Sequence, residues 1–337
     1  MPMNLHLDNE AFRELIELSA DHFGYQQSHV EKDYWVCKIL KELALSDYAG
    51  KIYFKGGTSL SKAYGIIIDR FSEDLDMFVY SGNPASSRQA EKTLNRNISH
   101  FIIENNTEMY QEKLSKTGGD FRKLAFSYDT HYKSAGLKEN LEVEIKCCTL
   151  ENKLEMYYPA QLQQIMPIIT EYLLAIENKE LITHFDLNTF EVQTIDPKRT
   201  LCDKISRLTR LSYSDDFEVL IAKYIRDVYD LYRLLSIPQY AEFVQSDEFI
   251  EVLKQVTDED GLYHNSQSNN PITNAVIYAQ TETVLRLPAI SRAYHEELRK
   301  LMFEPDNMPS LNEITNTIAL LQNPLKRFDE RYSKRFS

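Results

Sequence analysis

The chain has few of the features that mark secreted, zinc-binding or membrane-spanning proteins. Only four of its 337 residues are cysteines, and they lack CxxC spacing, so neither a disulfide framework nor a zinc site is predicted. No apolar run approaches the roughly 20 residues of a transmembrane helix. Residues 1–20 carry acidic side chains in place of the basic segment and apolar run of a signal peptide. We expect a cytoplasmic protein that makes no membrane contact.

Positive charge is also scarce, because 38 lysines and arginines face 51 aspartates and glutamates and leave a formal net charge of −13. A negative mean field repels nucleic acid, so any RNA contact requires a local basic patch. The basic and aromatic side chains of residues 326–336 offer one such patch. The same pattern is typical of a solvated helix end, so both interpretations stay open.

The rest of the composition is that of an ordinary folded protein, with 43% hydrophobic and 26% charged residues. A chain of 337 residues is long for a single core. Strand patterns dominate the first half and helical periodicity the second, with the change near residue 196. We therefore predict a bilobed α+β protein, with a mixed-sheet domain over residues 1–195 and an α-helical lobe over residues 196–337.

The first domain shows a regular order of predicted elements. Two amphipathic helices precede a strand at 51–55, which ends at the diglycine Gly56-Gly57. A helix at 58–68, a strand at 75–80 and a helix at 85–110 follow. Two β-rich runs at 122–132 and 140–149 predict a hairpin.

Beyond residue 150 the only clear strand pattern is at 189–195. Asp196-Pro197 places an oxygen acceptor at a helix N-cap and proline in the first turn, which predicts a helix to residue 211. A second helix is predicted from residue 215 to about 235. The polar segment 264–274 is predicted to be a flexible loop.

The diglycine and the next strand together suggest a nucleotide site. A glycine turn that opens a helix directs backbone N–H groups and the positive end of the helix dipole at one spot, which suits a phosphate. Alone this signal is weak, because many strand-to-helix turns need glycine for steric reasons. It is neither a Walker A loop nor a GxGxxG fingerprint.

The acidic pair Asp74 and Asp76 sharpens this interpretation. Side chains alternate along a strand, so the two carboxylates leave the same side with Cα atoms roughly 7 Å apart. Oxygen ligands in this arrangement suit Mg²⁺ in a two-metal site. A third acid is expected from the strand at 141–145, where Glu142 and Glu144 share a face. Periodicity does not choose between them, and an exposed strand edge would explain both.

These motifs carry a family resemblance. FKGGTSLSK at 54–62 followed by RFSEDLD at 70–76 closely resembles the AbiEii/AbiGii toxin family of nucleotidyltransferases, a branch of the DNA-polymerase-β-like superfamily. EKDYW at 31–35, DK at 203–204 and RDVYDL at 226–231 are similar to further motifs of that family. The resemblance spans roughly residues 30–235, and the last hundred residues match none of these motifs.

The resemblance implies roles for individual residues. Asp74, Asp76 and, as a third candidate, Glu144 would bind Mg²⁺, or Mn²⁺ in its place. The nucleotide-binding candidates are Gly56, Gly57, Thr58, Ser59 and Lys62. Lys204 would neutralise triphosphate charge, and Asp227 would activate the acceptor hydroxyl or orient the base or sugar. Without the resemblance, Asp227 would be interpreted as part of an ion-pair ladder with Lys223, Arg226 and Asp230 on one helix.

The implied activity is transfer of NMP from an NTP to an acceptor hydroxyl. By resemblance the acceptor is RNA, such as a tRNA 3′ end, and the protein is the toxin of a type IV toxin–antitoxin or abortive-infection pair with a cognate antitoxin. A protein hydroxyl or a small molecule such as an aminoglycoside is an alternative acceptor. A module that binds NTP without transfer is the alternative from another class.

Overall fold

A computed structural model of the protein describes residues 3–332 except 66, 84, 135, 148–159, 212, 213, 264–284 and 286. The chain divides into two compact units, Met1–Ile195 and Asp196–Ser337. The first unit contains a seven-stranded mixed sheet with helices, and the described part of the second contains helices and no strand. The predicted α+β fold class is confirmed.

The N-terminal unit begins with the two amphipathic helices that the sequence predicts. Asp8 caps the first helix by accepting a hydrogen bond from Ala11, and Gly24 ends it in the left-handed conformation. The described helices of this unit are α1 (Asn9–Phe23), α2 (Gln27–Ala44), α3 (Gly56–Lys62), α4 (Arg88–Asn105), α5 (Ile168–Ala175) and α6 (Lys179–His184). Short 3₁₀ turns lie at Leu5–Leu7, Ala49–Lys51 and Glu112–Leu114.

The sheet of this unit has the order β3-β4-β5-β2-β1-β7-β6. Its strands are β1 (Ile52–Lys55), β2 (Leu75–Val79), β3 (Lys116–Thr117), β4 (Phe121–Phe126), β5 (Leu141–Cys147), β6 (Ala160–Ile165) and β7 (Phe190–Ile195). β2 pairs antiparallel with β1 and parallel with β5, and β1 pairs parallel with β7. β1 and β2 are therefore central strands, which places the loops at their ends near the middle of the sheet.

A single hydrophobic core joins the sheet to its helices. β5 alternates buried and half-buried residues along its whole length, which is the pattern of a strand with one face on a core. α2 packs on β5 and β7, and α4 packs on β2, β4 and β5. The predicted hairpin is confirmed, since β4 and β5 pair antiparallel from Phe121↔Lys146 to Phe126↔Leu141.

The C-terminal unit begins with the helix predicted from Asp196-Pro197, whose carboxylate accepts a hydrogen bond from the backbone N–H of Lys198 at 2.8 Å. Its described helices are α7 (Pro197–Leu211), α8 (Phe217–Lys223), α9 (Ile225–Leu235), α10 (Pro238–Gln245), α11 (Asp247–Tyr263), α12 (Pro288–Arg292), α13 (Leu311–Ile318) and α14 (Gln322–Tyr332). A π-helical turn at Ala293–Leu298 and 3₁₀ turns at Arg299–Leu301, Pro305–Asn307 and Ala319–Leu321 connect the last of them. Among the described helices, none combines the length and the apolar character needed to cross a bilayer.

Two predicted helices differ in extent from the observed ones, and one strand was not predicted. The helix predicted at 58–68 begins at Gly56 and ends at Lys62, and Gly65 follows in the left-handed region with φ 68°. The single helix predicted from residue 215 to 235 is two helices that meet at Tyr224. The edge strand Ala160–Ile165 was missed because AQLQQI is glutamine-rich and lies half outside the core.

Other predictions lie partly outside the described residues. These include the loop at 264–274, residues 333–336 of the basic tail, and Cys148. The three described cysteines, Cys37, Cys147 and Cys202, are buried as thiols rather than disulfides.

Candidate active site

The acidic pair lies where the chain enters β2. Asp76 is the second residue of the strand, and Asp74 immediately precedes the strand, which begins at Leu75 as the sequence predicts. The alternation still holds, because Asp74 and Asp76 are half-buried while Glu73, Leu75 and Met77 are buried. The two carboxylates therefore lie on the same side of the chain, as the spacing predicts.

Gly56 is fitted to Asp76. It has φ 81°, and a Cβ built on it would overlap Oδ2 of Asp76 and approach the Asp76 Cβ and Cγ at 3.1 Å. Only glycine combines this backbone conformation with such an approach. The diglycine turn thus lets the first turn of α3 lie directly against a carboxylate of the acidic pair.

The hydroxyl groups of Thr58 and Ser59, which follow the diglycine, form hydrogen bonds within the protein. Thr58 Oγ1 donates to the backbone oxygen of Asp74 at 2.5 Å and lies 3.0 Å from Ser72 Oγ. Ser59 Oγ donates to the Gly56 carbonyl at 2.9 Å. Both side chains are buried. These hydrogen bonds fix the turn and the backbone of Asp74. Gly57, the second residue of α3, lies in the sequence between Gly56 and these two residues.

Glu142 and Glu144 bring two more acids to the same region. β5 pairs with β2 so that Glu144 is opposite Asp76. Lys123 of β4 lies 2.7 Å from Glu142 and 3.6 Å from Glu144. Lys138 lies 2.7 Å from Asp74 Oδ1 and also pairs with Glu142. We call Asp74, Asp76, Glu142 and Glu144 the acidic cluster.

The two lysines determine the electrostatics of the acidic cluster. Burial would raise the pKa of Glu142, but its hydrogen bonds to Lys123 and Lys138 outweigh burial and hold this pKa below its ordinary value. The charges of Asp74 and Glu142 raise the pKa of Lys138 in spite of its burial. Among the described residues, no three acidic, histidine or cysteine side chains are arranged to hold a metal ion as they stand.

Lys62 is engaged elsewhere. Its ammonium lies 2.6 Å from Asp33 Oδ1 and donates to the Met166 carbonyl at 2.8 Å. The charge of Asp33 raises the pKa of Lys62 although burial opposes this. These contacts connect α3 to α2 and to the start of α5, so they give Lys62 a structural role.

Three successive charged residues of α2 organise this unit; they belong to the motif EKDYW at 31–35, but their structural role was not predicted. Glu31 accepts hydrogen bonds from the backbone N–H groups of His131 and Tyr132, at 2.9 and 3.3 Å. Lys32 donates to the carbonyls of Lys138 and Asn140, at 2.7 and 2.9 Å. Asp33 accepts from the backbone N–H of Ile168 at 2.8 Å. We call Glu31, Lys32 and Asp33 the anchor residues.

A sequence signal for the anchor residues was available. Val30, Tyr34, Trp35 and Val36 place apolar side chains at several angles around this part of α2, in between its charged residues, so that no face of the helix is wholly polar. Charged residues at buried positions need polar partners. The partners themselves lie about 100 or more residues away in sequence, and no local pattern identifies them.

In the C-terminal unit the structure brings Lys204 and Asp227 together. Lys204 Nζ lies 2.8 Å from Asp227 Oδ1 and 2.7 Å from Asp230 Oδ2, and all three side chains are buried. Arg207 lies 3.2 Å from the other oxygen of Asp227. Asp227 therefore does not form the predicted ion-pair ladder with Lys223 on one helix. Its cationic partners, Lys204 and Arg207, lie on α7.

These cations decide the charge state of Asp227. Burial alone would raise the pKa of its carboxyl, but the charges of Arg207 and Lys204 outweigh burial and lower the pKa below its ordinary value. Asp227 is thus held as a carboxylate and is a weak base.

Two of the three described basic residues of the C-terminal segment, Arg327 and Arg331, have partners within their own unit. Arg327 pairs with Asp247 at 2.7 Å and Arg331 with Glu251 at 2.7 Å. Phe328 is buried. These ion pairs are typical of a solvated helix end, and contact of this segment with RNA stays a prediction.

A cavity of about 620 Å³ lies elsewhere in the N-terminal unit, with Phe12, Trp35, Tyr128 and His131 among its lining residues. Its lining includes none of the predicted site residues. The candidate site is therefore the region of the acidic cluster and the diglycine turn.

Comparisons with known proteins identify the family of the chain. Residues 38–332 match the family described as "Nucleotidyl transferase AbiEii toxin, Type IV TA system". No curated protein sequence matches the chain. The solved structures that match the chain include JHP933 from Helicobacter pylori, with TM-score 0.40, 14% identity and coverage of 90% of this chain and 95% of that one. They also include MenT4, a nucleotidyltransferase toxin from Mycobacterium tuberculosis H37Rv, with TM-score 0.45, 13% identity and coverage of 95% and 96%.

The family match extends nearly a hundred residues beyond the segment in which the sequence motifs were recognised, and it covers most of both units. Because it spans well over half of the chain, the chain belongs to the AbiEii nucleotidyl transferase toxin family of type IV toxin–antitoxin systems, and it is a nucleotidyltransferase.

Proposed function

We propose that this nucleotidyltransferase uses Mg²⁺ to transfer NMP from an NTP to the 3′ end of an RNA, with tRNA as the acceptor class. The observation that carries the proposal is the pairing of Asp76 with Glu144 in adjacent strands, with Asp74 on the same side and Gly56 directly against Asp76. Few structural needs explain glycine, two aspartates and a register-matched glutamate at one point.

The donor set fits a hard divalent cation. Carboxylate oxygens are the ligands that Mg²⁺ and Mn²⁺ accept, and Asp74, Asp76 and Glu144 would hold the metal. Glu144 is favoured over Glu142 because Glu144 is opposite Asp76 in the register, whereas Glu142 is close to two lysines. Bound there, two Mg²⁺ ions would orient the attacking and leaving oxygens and neutralise developing charge.

The transfer forms a bond between the acceptor oxygen and the α-phosphorus and breaks the bond between the α- and β-phosphates. Pyrophosphate leaves, and the hydroxyl proton is released. Because the hydroxyls of Thr58 and Ser59 are bonded within the protein, backbone N–H groups from Gly56 to Ser59 would bind the phosphates. The contacts of Lys62 with Asp33 leave it out of this proposal.

Lys204 and Asp227 stay predictions as catalytic residues. The lowered pKa of Asp227 makes it a poor general base. We therefore assign Asp227 to holding Lys204 through their ion pair, and the neutralisation of triphosphate charge by Lys204 stays a prediction from the family resemblance. An ammonium is a compact charge suited to that task.

The RNA acceptor and an antitoxin partner rest on the family. A type IV toxin–antitoxin family supports a cognate antitoxin. The net charge of −13 does not favour RNA binding by the whole surface. A basic antitoxin would neutralise this surface and would also change the access of RNA to the proposed site.

Incubation of the full chain with each labelled NTP, Mg²⁺ and total RNA tests the proposal. We expect α-phosphate label on RNA, with one NTP preferred. The label should be lost in Asp74→Asn and Asp76→Asn, and it should be retained in Asp47→Asn, which removes a carboxylate outside the acidic cluster.

Other outcomes separate the alternatives. Label on a protein or an aminoglycoside but not on RNA would replace the acceptor. Saturable NTP binding without any transfer would identify a nucleotide sensor. In cells, expression should arrest growth, and Asp74→Asn should relieve the arrest. Normal growth with the intact chain would contradict the toxin role.

A further inference from the structure

A lysine from outside the two site strands lies within the acidic cluster. Lys138 belongs to the connection between β4 and β5, and its ammonium lies 2.7 Å from Asp74 Oδ1 and pairs also with Glu142. Asp74 is one of the proposed metal ligands. The ammonium therefore occupies the coordination space beside an oxygen that a metal ion would use.

The backbone of this lysine is fixed by a buried ion pair. Lys138 N–H donates to both oxygens of Glu73, at 3.2 and 3.1 Å, and its carbonyl accepts from Lys32 at 2.7 Å. Lys32 and Glu73 lie 3.4 Å apart with side chains 0% and 3% exposed. The main chain at Lys138 is thus anchored from two sides.

The side chain of Lys138 is not held in the same way. It is 37% exposed, and lysine carries its ammonium on a flexible four-carbon stem. Its ammonium can therefore leave Asp74 while its Cα stays in place. Glu142, with which Lys138 already pairs, is a second acid that the ammonium can contact.

Electrostatics opposes the binding of the ammonium and a metal ion to the same oxygen of Asp74. A carboxylate oxygen binds Mg²⁺ at about 2.1 Å. A cation 2.7 Å from that same oxygen would then lie within a few ångströms of the metal, where like charges repel in a partly buried site. Metal binding at this oxygen therefore favours the departure of the ammonium.

We propose that Lys138 is a built-in counter-ion that holds Asp74 in the metal-free protein, gives up Asp74 when the metal binds, and thereby sets the metal affinity. The inference rests on the proposed metal site. It assigns Glu142 as the acid that retains Lys138 after the exchange, and it leaves Glu144 to the metal.

Direct metal binding without nucleotide tests this role. Titration of the full chain with Mn²⁺, followed by the electron paramagnetic resonance signal of free Mn²⁺, gives the dissociation constant. Lys138→Met should lower this constant about tenfold or more, which corresponds to a repulsion of at least about 1.4 kcal/mol. Lys138→Arg keeps the charge and should not lower it.

Lys123→Met is the matched control. It removes the same charge from a lysine that contacts Glu142 and Glu144, whereas Lys138 contacts Asp74. We expect it to tighten Mn²⁺ binding by less than Lys138→Met does, because Lys123 lies 3.6 Å from the proposed ligand Glu144, whereas Lys138 lies 2.7 Å from Asp74. Lys138→Gln serves if the methionine variant does not fold, as judged by far-ultraviolet circular dichroism.

Thermal unfolding, measured first in EDTA and then in saturating Mn²⁺, adds a second readout. Lys138→Met should unfold at a lower temperature than the wild type, and saturating Mn²⁺ should raise its melting temperature by more than it raises that of the wild type.

The outcomes are distinct. Equal tightening by Lys123→Met and Lys138→Met would show a general charge effect and overturn the exchange. Weaker Mn²⁺ binding by Lys138→Met would make Lys138 a supporting residue and overturn it also. If neither the wild type nor any variant binds Mn²⁺, the proposed metal site itself fails, and the inference fails with it.

Discussion

The two units use buried charge in different ways. In the N-terminal unit the anchor residues hydrogen-bond to backbone groups of distant segments, for example Lys32 to the carbonyls of Lys138 and Asn140. In the C-terminal unit buried charges pair with other side chains, as Lys204 does with Asp227 and Asp230. Charge fixes loops in the first unit, where it also joins α3 to α2 through Lys62 and Asp33, whereas in the second unit it joins helices.

The pKa shifts follow this difference. Burial lowers the pKa of Lys32 and raises that of Glu73, so their mutual attraction does not fully offset the loss of water. In the C-terminal unit, Arg207 and Lys204 lower the pKa of Asp227 in spite of its burial. Removal of one charged partner should therefore lower the free energy of unfolding by more in the second unit than in the first.

The largest expected effect is that of Lys204→Met. It leaves Asp227 and Asp230 buried without their shared cation, which should cost about 3 to 5 kcal/mol of unfolding free energy. Urea unfolding followed by far-ultraviolet circular dichroism measures it. The single tryptophan, Trp35, lies in the N-terminal unit, so its fluorescence should report a smaller change.

Lys198→Met is the control on the same helix. Lys198 pairs with the exposed Glu248 at 3.0 Å, and its loss should cost less than about 1 kcal/mol. Similar losses for both variants would contradict the buried cluster. Because Lys204→Met is expected to destabilise its unit, loss of toxicity in a Lys204 variant does not by itself identify a catalytic lysine.

A smaller effect is expected from Glu73→Gln. The amide keeps a hydrogen-bond acceptor for the Lys138 N–H but removes the negative partner of Lys32, so the cost should be about 1 to 3 kcal/mol. Trp35 fluorescence in urea measures it. The double variant Lys32→Met with Glu73→Gln should recover part of the loss, and strict additivity would show that the two side chains do not interact.

Gly56→Ala tests the fit of the turn to Asp76. Gly65→Ala is a matched control, because Gly65 also has a left-handed backbone, with φ 68°, but a Cβ there would meet nothing within 4 Å. Both changes should cost about 1 kcal/mol for the backbone conformation, and Gly56→Ala should cost about 1 to 2 kcal/mol more for displacing Asp76. Thermal unfolding compares them, and equal costs would remove the steric argument.

The smallest effect concerns protonation. The pKa of Glu73 is raised in the folded protein, so on acidification it takes up its proton before an unfolded glutamate does, and this favours folding. The pKa of Asp227 is lowered, so its contribution is present above the unfolded pKa of about 4 and is lost as the pH falls through the folded pKa.

Carbon-13 NMR titration of the side-chain carboxyls measures this contrast. Glu73 should titrate above, and Asp227 below, the ordinary range of their residue types. Glu73→Gln and Asp227→Asn assign the two signals. If both carboxyls titrate on the same side of their ordinary values, the comparison between the units does not hold.

Local patterns were sufficient for much of the candidate site. The spacing of Asp74 and Asp76 predicted carboxylates on one side of the chain, because side-chain alternation is a property of the backbone alone. The diglycine predicted a tight turn for the same reason, and the structure adds that Gly56 touches Asp76. The motifs around these residues were also sufficient to identify the family.

Patterns failed where an element depends on its neighbours. β6 has little strand propensity of its own, but it pairs with β7 along its entire length. The predicted helix at 58–68 ended early, because Gly65 adopts a left-handed conformation that helical periodicity does not reveal. Tertiary context outweighs weak local preference in both cases.

The sequence by itself determined the diglycine turn, the pair of aspartates and the order of elements up to β5, because these depend on interactions between residues close along the chain. Only the tertiary structure decided which cation each acid meets. Lys138 reaches Asp74 across 64 residues, and Lys204 reaches Asp227 across 23. Coulomb attraction depends on distance in space, which sequence periodicity does not encode.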